Sequence, residues 1–188
     1  MCETLCGLNY KIIGTENIPS EKGVVFIKHS SVYELFVGLL LFSPSSWVAK
    51  QELMYLPLFR NAIKVFNFIP VKRGFGRSQV TRVIREGTER LSEGKWIVIF
   101  PEGTRVVHGM TKKYGISGAL LAVGTKSDIT PIAHNAGKYW GRRTLLKKKG
   151  TIVFSVGNKI STVGKTYDEV NQEAKVWIDG EVKRLDGL

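Results

Sequence analysis

A histidine and a glutamate stand five positions apart, where an apolar run ends and the next begins. The stretch FIKHSSVYELF places His29 after the first run and Glu34 five positions later. On one continuous helix, residues five apart point about 140° away from each other, so the two side chains would not meet. They can meet if His29 lies in a loop and Glu34 in the first helical turn. The carboxylate would then fix the imidazole tautomer and leave the other ring nitrogen as a general base.

The same two residues also have a structural interpretation. A glutamate in the first turn of a helix is favourable by itself, because it faces the positive end of the helix dipole. His29 would then be a hydrogen-bonded structural residue, with Ser30 or Ser31 as the N-cap of the helix. The pair alone does not decide between a base and a cap.

The stretch FNFIPVKRG ends an apolar run with two cations, Lys72 and Arg73. The planar guanidinium of an arginine suits a phosphate, so both residues are candidates for binding an anionic substrate. A solvated basic strand end explains this stretch equally well.

The stretch IFPEGTR is the most specific of the candidate sites. An apolar run leads into a proline and then into Glu102, Gly103, Thr104 and Arg105. We expect Glu102 to hold Arg105 in place, while the backbone N–H groups of Gly103 and Thr104 face an oxyanion or a phosphate. A structural turn could use the proline and the glycine, but it would not need both the acid and the base.

The stretch ITPIAHNAG carries a proline and a histidine. Pro131 lies inside an apolar run, which predicts an edge strand or a bent strand. For His134, at the end of the run, hydrogen bonds to the backbone are a better interpretation than catalysis. His108 lies in a loop, and the sequence indicates no partner for it.

The pattern of apolar residues predicts the elements that position these stretches. Short continuous apolar runs at 24–27, 95–100 and 129–134 indicate buried strands, and amphipathic patterns over 78–93 and 167–185 indicate helices. We therefore predict one α/β domain over all 188 residues, with a mostly parallel or mixed sheet and helices on both faces. In such sheets, active residues collect beyond the carboxyl ends of the strands, where all four stretches lie.

The charge of the chain points to an anionic partner. There are 28 basic and 16 acidic residues, a formal net charge of +12. No predicted helix carries a basic face with interleaved aromatic residues, so we expect no nucleic acid partner. A basic run without acids spans 138–149 and fits anionic headgroups, the phosphates of CoA or an acidic carrier protein, although a solvated loop is the alternative. Its cations are Lys138, Arg142, Arg143, Lys147, Lys148 and Lys149.

The sequence indicates neither a metal site nor a transmembrane segment. Cys2 and Cys6 match no metal spacing and give no disulfide framework, as expected of free thiols in a reducing compartment. The longest apolar run, 35–42, is far shorter than the roughly 20 residues that a spanning helix needs. We therefore expect any action on membranes to take place from their surface.

Four stretches together resemble the motif blocks of the glycerolipid acyltransferases. These are KHSSVYE, FIPVKRG, FPEGTR and TPIAHNAG, in this order, and the similarity to the bacterial 1-acylglycerol-3-phosphate acyltransferases extends over about residues 8 to 185. The resemblance implies acyl transfer from acyl-CoA or acyl carrier protein to the hydroxyl of a lysophospholipid, giving phosphatidic acid. It implies no bound cofactor, and it implies peripheral binding to the cytoplasmic face of the inner membrane.

The resemblance also implies roles for single residues. His29 corresponds to the base and Glu34 to its partner, Arg73 to the residue that holds the acceptor phosphate, and Pro131 to the block linked to the acyl donor. The residues that correspond to acceptor binding in the third block are Glu102, Gly103 and Arg105.

Two features depart from the family pattern. The first block usually ends in aspartate, and Glu34 is one methylene longer, as in some bacterial members. The family also commonly carries an N-terminal helical membrane anchor, so we expect this chain to be a short form or a fragment. The motifs leave the acceptor open among lysophosphatidate, other lysophospholipids, glycerol 3-phosphate and an amino-acid lipid. A non-catalytic protein that binds anionic lipid is a further alternative.

Overall fold

Seven strands of the described part of the chain form a sheet at the centre of the protein. The computed structural model describes residues 7–55, 66–72, 76–142, 144 and 147–187. The strands are β1 (Leu8–Ile13), β2 (Val24–Ile27), β3 (Ser45–Lys50), β4 (Ile69–Val71), β5 (Trp96–Ile99), β6 (Ile129–His134) and β7 (Gly150–Val156). Their order across the sheet is β1-β7-β6-β2-β5-β3-β4.

The sheet is mixed, as the sequence predicts. All neighbouring strands are parallel except β6 and β7, which are antiparallel. Strands β2 to β6 therefore share one direction, and β1 and β7 run the other way. One edge of the sheet consequently carries the carboxyl ends of β2, β4, β5 and β6 together with the amino end of β7.

Helices cover both faces of this sheet. They are α1 (Tyr33–Leu41), α2 (Gly76–Ser92), α3 (Ser117–Thr125), α4 (Ala136–Tyr139) and α5 (Tyr167–Asp186), and two short 3₁₀ helices span Thr15–Asn17 and Gln51–Tyr55. Residues of α1 and α4 belong to one apolar core, and residues of α2, α3 and α5 belong to the other. None of the helices within the described part of the chain is long and apolar enough to cross a membrane.

The two cores explain why the inner strands are apolar throughout. Successive side chains of a strand point to opposite faces of the sheet. In β2, Val24 and Phe26 lie in the core beneath α5, whereas Val25 and Ile27 lie in the core beneath α1. Because helices cover both faces of the sheet at β2, every residue of this strand is apolar and no polar residue alternates with them.

The prediction of an edge strand at Pro131 is wrong, because β6 lies between β2 and β7. The carbonyl of Pro131 accepts a hydrogen bond of 2.9 Å from the N–H of Gly157, on the β7 side. The paired residues of β6 and β7 begin at Ile132. Proline has no N–H to donate. Because Pro131 lies just outside the paired residues of β6 and β7, no hydrogen bond of this pairing is lost, and the interior strand tolerates the proline.

Candidate active site

His29 and Glu34 meet in the way the sequence predicts. His29 lies in the loop after β2, and Glu34 is the second residue of α1. His29 Nδ1 lies 2.8 Å from Glu34 Oε1. An ionised carboxylate only accepts hydrogen bonds, so Nδ1 carries a hydrogen, and in the neutral imidazole Nε2 then presents a lone pair. The His29 side chain is 20% exposed, and within the described residues its Nε2 has no hydrogen-bond partner.

Backbone groups hold the Glu34 carboxylate in place. The N–H groups of Ser30 and Ser31 donate to Oε1 at 3.1 and 3.0 Å, and that of Ser31 also approaches Oε2 at 3.0 Å. The predicted serine N-cap is wrong, since Val32 is the N-cap residue and makes no side-chain capping bond. The Ser31 Oγ still accepts a hydrogen bond of 3.2 Å from the N–H of Tyr33, the first residue of α1. The backbone N–H groups of both serines aim the buried Glu34 at His29.

Phe100 is a site residue that the sequence analysis missed. Its ring stacks on the imidazole of His29, with centroids 4.0 Å apart and an angle of 18° between the planes. Two contacts therefore orient the imidazole, the ring stack on its face and the carboxylate at its edge. The only signal in the sequence is that Phe100 is the last apolar residue before PEGTR.

The peptide bond between Lys28 and His29 is held at both of its polar ends. The N–H of His29 donates to Glu102 Oε2 at 3.2 Å. The carbonyl oxygen of Lys28 accepts from His134 Nε2 at 2.7 Å. The next carbonyl, of His29 itself, accepts from the N–H of Val106 at 2.7 Å. The backbone of His29 is thus tied to the segments that follow β5 and to the end of β6.

His134 is a structural residue, as the sequence analysis favours. Besides the bond from its Nε2, its Nδ1 accepts from the N–H of Ala136 at 3.2 Å. This pair of backbone partners requires the neutral imidazole with its hydrogen on Nε2. Burial lowers the pKa of His134, and the nearby Glu34 carboxylate opposes that shift. Glu34 Oε2 lies 3.9 Å from His134 Nε2, and the centre of the Phe154 ring lies 4.9 Å from that of the imidazole.

Glu102 pairs with a residue other than the predicted one. Its Oε1 lies 3.0 Å from the Nζ of Lys28, and both side chains are buried. The prediction that Glu102 holds Arg105 is therefore wrong, because its two oxygens face Lys28 and the His29 N–H. Burial raises the pKa of the Glu102 carboxyl, and the charge of Lys28 opposes that effect.

The turn after Glu102 uses a conformation that favours glycine. Gly103 has a φ of 67°, in the left-handed region, and its N–H donates to the carbonyl of Phe100 at 2.9 Å. Its N–H is thus committed within the turn, contrary to the expectation that it faces an anion. Thr104 and Arg105 follow, both half-buried. The carbonyl of Arg105 accepts from Arg142 Nη1 at 3.4 Å.

The second motif lies at the same edge of the sheet, three strands from β2. Lys72 directly follows β4, and its side chain is exposed. Its N–H donates to Gln79 Oε1 at 2.9 Å. Arg73, the predicted phosphate ligand, lies outside the described residues.

The structure gives His108 an acidic partner. His108, for which the sequence indicates no partner, lies with its Nε2 3.1 Å from Asp186 Oδ1. The part of the chain that the structure describes contains no cluster of three or more potential metal ligands.

Comparison with known proteins shows which family this arrangement belongs to. The sequence profile of the Acyltransferase family matches residues 9–135, from β1 to the end of β6. The chain belongs to the acyltransferase family. The matched span includes His29, Glu34, Glu102 and His134.

Relatives of this acyltransferase come from distant organisms. The 1-acyl-sn-glycerol-3-phosphate acyltransferase of Pseudomonas aeruginosa is 35% identical over 181 residues, which are 95% of this chain and 70% of that protein. The enzyme of the same name from Saccharomyces cerevisiae is 25% identical over 186 residues, 96% of this chain and 61% of that protein.

A solved structure shares the fold of this acyltransferase. It is the crystal structure of the 1-acyl-sn-glycerophosphate (LPA) acyltransferase PlsC from Thermotoga maritima, with a TM-score of 0.83. The match covers 98% of this chain and 75% of that chain at 21% identity. It supports the mixed sheet with helices on both faces that the sequence predicts.

Proposed function

We propose that this acyltransferase moves a fatty acyl group from acyl-CoA or acyl carrier protein to the free hydroxyl of 1-acylglycerol 3-phosphate. The observation that carries the proposal is the His29–Glu34 pair. Nδ1 of the ring lies 2.8 Å from the Glu34 carboxylate, and Nε2 has no hydrogen-bond partner among the residues that the structure describes. The names of the relatives from Pseudomonas aeruginosa and Saccharomyces cerevisiae support the choice of acceptor.

In the proposed reaction, His29 Nε2 takes the proton of the acceptor hydroxyl while its oxygen attacks the thioester carbonyl. The new C–O bond forms, the C–S bond breaks, and the imidazolium returns its proton to the leaving thiolate. Glu34 keeps the ring in the correct tautomer and stabilises the transient imidazolium. No chain nucleophile is needed, because the acceptor oxygen attacks directly.

The acceptor phosphate is assigned to the cations that follow β4 and β5. Arg73 and Arg105 would bind the phosphate, with Lys72 beside them, and so hold the hydroxyl at a set distance from His29. Thr104 is the candidate donor to the oxyanion, since its N–H has no acceptor among the residues that the structure describes. Pro131 would act only by shaping the strand on the donor side.

The basic run supports action at an anionic membrane surface, which we assign to the cytoplasmic face. Because β7 is antiparallel to β6, the residues that lead into β7 lie at the same edge of the sheet as His29. Lys147 Nζ lies 4.6 Å from the centre of the Trp140 ring, and Lys148 and Lys149 follow it. Cations beside an aromatic side chain suit the headgroup region of a bilayer.

The proposal is tested by an acyl-transfer assay with the purified chain. Release of free thiol from acyl-CoA and from acyl carrier protein is followed with lysophosphatidate, other lysophospholipids, glycerol 3-phosphate or no acceptor, and the products are identified by mass spectrometry. We expect phosphatidic acid as the product and thiol release that depends on lysophosphatidate. Transfer only to another acceptor would contradict the assigned substrate, and vesicle binding without any transfer would contradict the enzymatic assignment.

A further inference from the structure

Lys28 is a buried cation directly before the candidate base. It is 3% exposed, although burial of an ammonium group is unfavourable unless the charge is paired. Lys28 contacts α5, whereas His29 contacts Glu34 of α1 on the other face of the sheet. The alternation of side chains along β2 thus continues for two residues beyond the strand and separates these neighbours.

Three acceptors from three segments surround the Lys28 ammonium group. Its Nζ lies 3.0 Å from Glu102 Oε1, in the turn after β5. It lies 3.7 Å from Asp179 Oδ1 of α5 and 3.4 Å from the carbonyl oxygen of Met110. The nearest of these partners, Glu102, is the residue whose second oxygen accepts the N–H of His29.

We propose that Lys28 is a positioning residue for acyl transfer, which acts on His29 through Glu102. The inference rests on the proposed function, because the reaction that is positioned is the acyl transfer assigned to His29. The geometry disfavours direct binding of the substrate by Lys28. The Lys28 side chain is 4% exposed and already faces acceptors of the protein.

The mechanism of this effect is electrostatic and geometric. The charge of Lys28 favours the ionised form of Glu102 in a buried site where desolvation opposes ionisation. Removal of that charge favours the protonated carboxyl, which is a weaker acceptor for the N–H of His29. The loop that carries His29 is then less well fixed, and a displacement of about 1 Å in such a position costs up to ~100-fold in rate.

The main test compares two lysine variants that each remove an ion pair with Asp179. Lys28→Met removes the buried pair, and Lys175→Met removes the partner of Asp179 Oδ2, which among the described residues pairs with neither Glu102 nor His29. For Lys28→Met we expect kcat to fall by about 10- to 100-fold, with the KM for the acceptor changed less than about threefold. For Lys175→Met both constants should stay at the parent values.

A double-mutant cycle tests whether Lys28 acts through Glu102. Glu102→Gln alone should also lower kcat, and adding Lys28→Met should lower it no further, because residues in one network are not additive. Multiplication of the two effects would overturn the proposal. So would a Lys28→Met variant that loses thermal stability but keeps the parent kcat, or one that raises only the acceptor KM.

Two further measurements keep the test decisive. If Lys28→Met does not fold, Asp179→Asn replaces it, with an expected fall in kcat of about two- to fivefold, and a parent-like kcat would then overturn the proposal. The ¹H–¹⁵N resonance of the His29 backbone should shift in Asp179→Asn, where residue 28 itself is unchanged, and not in Lys175→Met. This shift does not depend on turnover. An inactive parent enzyme would therefore refute the proposed function, while the resonance still decides whether Lys28 fixes the backbone of His29.

Discussion

His134 Nε2 donates a hydrogen bond of 2.7 Å to the carbonyl oxygen of Lys28, although 106 positions separate the two residues in the chain. The bond fixes the peptide unit that precedes His29. The second bond of this ring, from the N–H of Ala136 to Nδ1, requires the neutral form of His134. Protonation of His134 would lose the bond from Ala136 and place a charge in a fully buried site.

His134 should therefore make the protein less stable in acid. Its pKa is lowered from 6.5 in the folded protein, so below pH 6.5 the unfolded chain binds the proton more readily. The unfolding free energy should fall as the pH decreases from 6.5 towards the lowered pKa, by up to about 1.4 kcal/mol per pH unit for this group. Urea unfolding of the parent and of His134→Gln at pH 7.5 and 5.5 measures the difference. We expect the parent to lose about 1 kcal/mol more than the variant over this range, and equal losses would contradict the assignment.

His29→Ala should remove acyl transfer and leave the fold intact. Loss of a general base lowers rates by about 10² to 10⁴-fold, and the half-buried ring contributes little to either core. The measurement is thiol release with lysophosphatidate, beside circular dichroism and binding to anionic vesicles. Vesicle binding should match the parent, and a variant with the parent rate would rule out His29 as the base.

Glu34→Gln should be much more damaging to turnover than its small change in size suggests. The amide cannot both accept from the two serine N–H groups and stabilise an imidazolium, so kcat should fall by roughly 10³-fold. Glu34→Asp keeps the charge but shortens the reach to His29 Nδ1 by one methylene, and we expect an intermediate loss. If Asp and Gln proved equally harmful, the length of the side chain would matter more than its charge.

Arg73→Ala should raise the KM for the lysophosphatidate acceptor and leave the KM for the acyl donor little changed. The physical reason is the loss of a bidentate charged contact with the phosphate, and the expected increase is about tenfold or more. Arg77→Ala is the matched control, since Arg77 is exposed in the first turns of α2. A defect confined to the donor would contradict the phosphate role.

Two glycines of α3 should respond to alanine in opposite directions. A Cβ at Gly118 would lie 2.5 Å from the ring of the buried Phe26, whereas a Cβ at Gly124 would meet no atom within 4 Å. Gly118→Ala should therefore destabilise the protein by about 1–3 kcal/mol through overpacking. Gly124→Ala should stabilise it by about 0.5–1 kcal/mol, because alanine loses less backbone entropy in a helix. Urea unfolding of both variants checks the pair.

The sequence by itself determined the local part of the site. A helix that starts after the serines brings Glu34 back to His29, and this follows from residues five apart in the chain. The apolar runs predict the inner strands β2 and β6 at their observed bounds, because burial on both faces leaves a continuous apolar signal. The four motifs also indicate the family that the comparison confirms.

Only the tertiary structure decided which distant residues meet. The choice of Lys28 over Arg105 as the partner of Glu102, and the contact of Phe100 with His29, depend on β5 lying beside β2. The placement of Pro131 in an interior strand depends on β7 returning antiparallel to β6. Apolar periodicity reports which face of an element is buried, but it carries no information on which element lies next to it. Partners more than 70 residues apart, such as His29 and Glu102, are chosen when the whole sheet assembles.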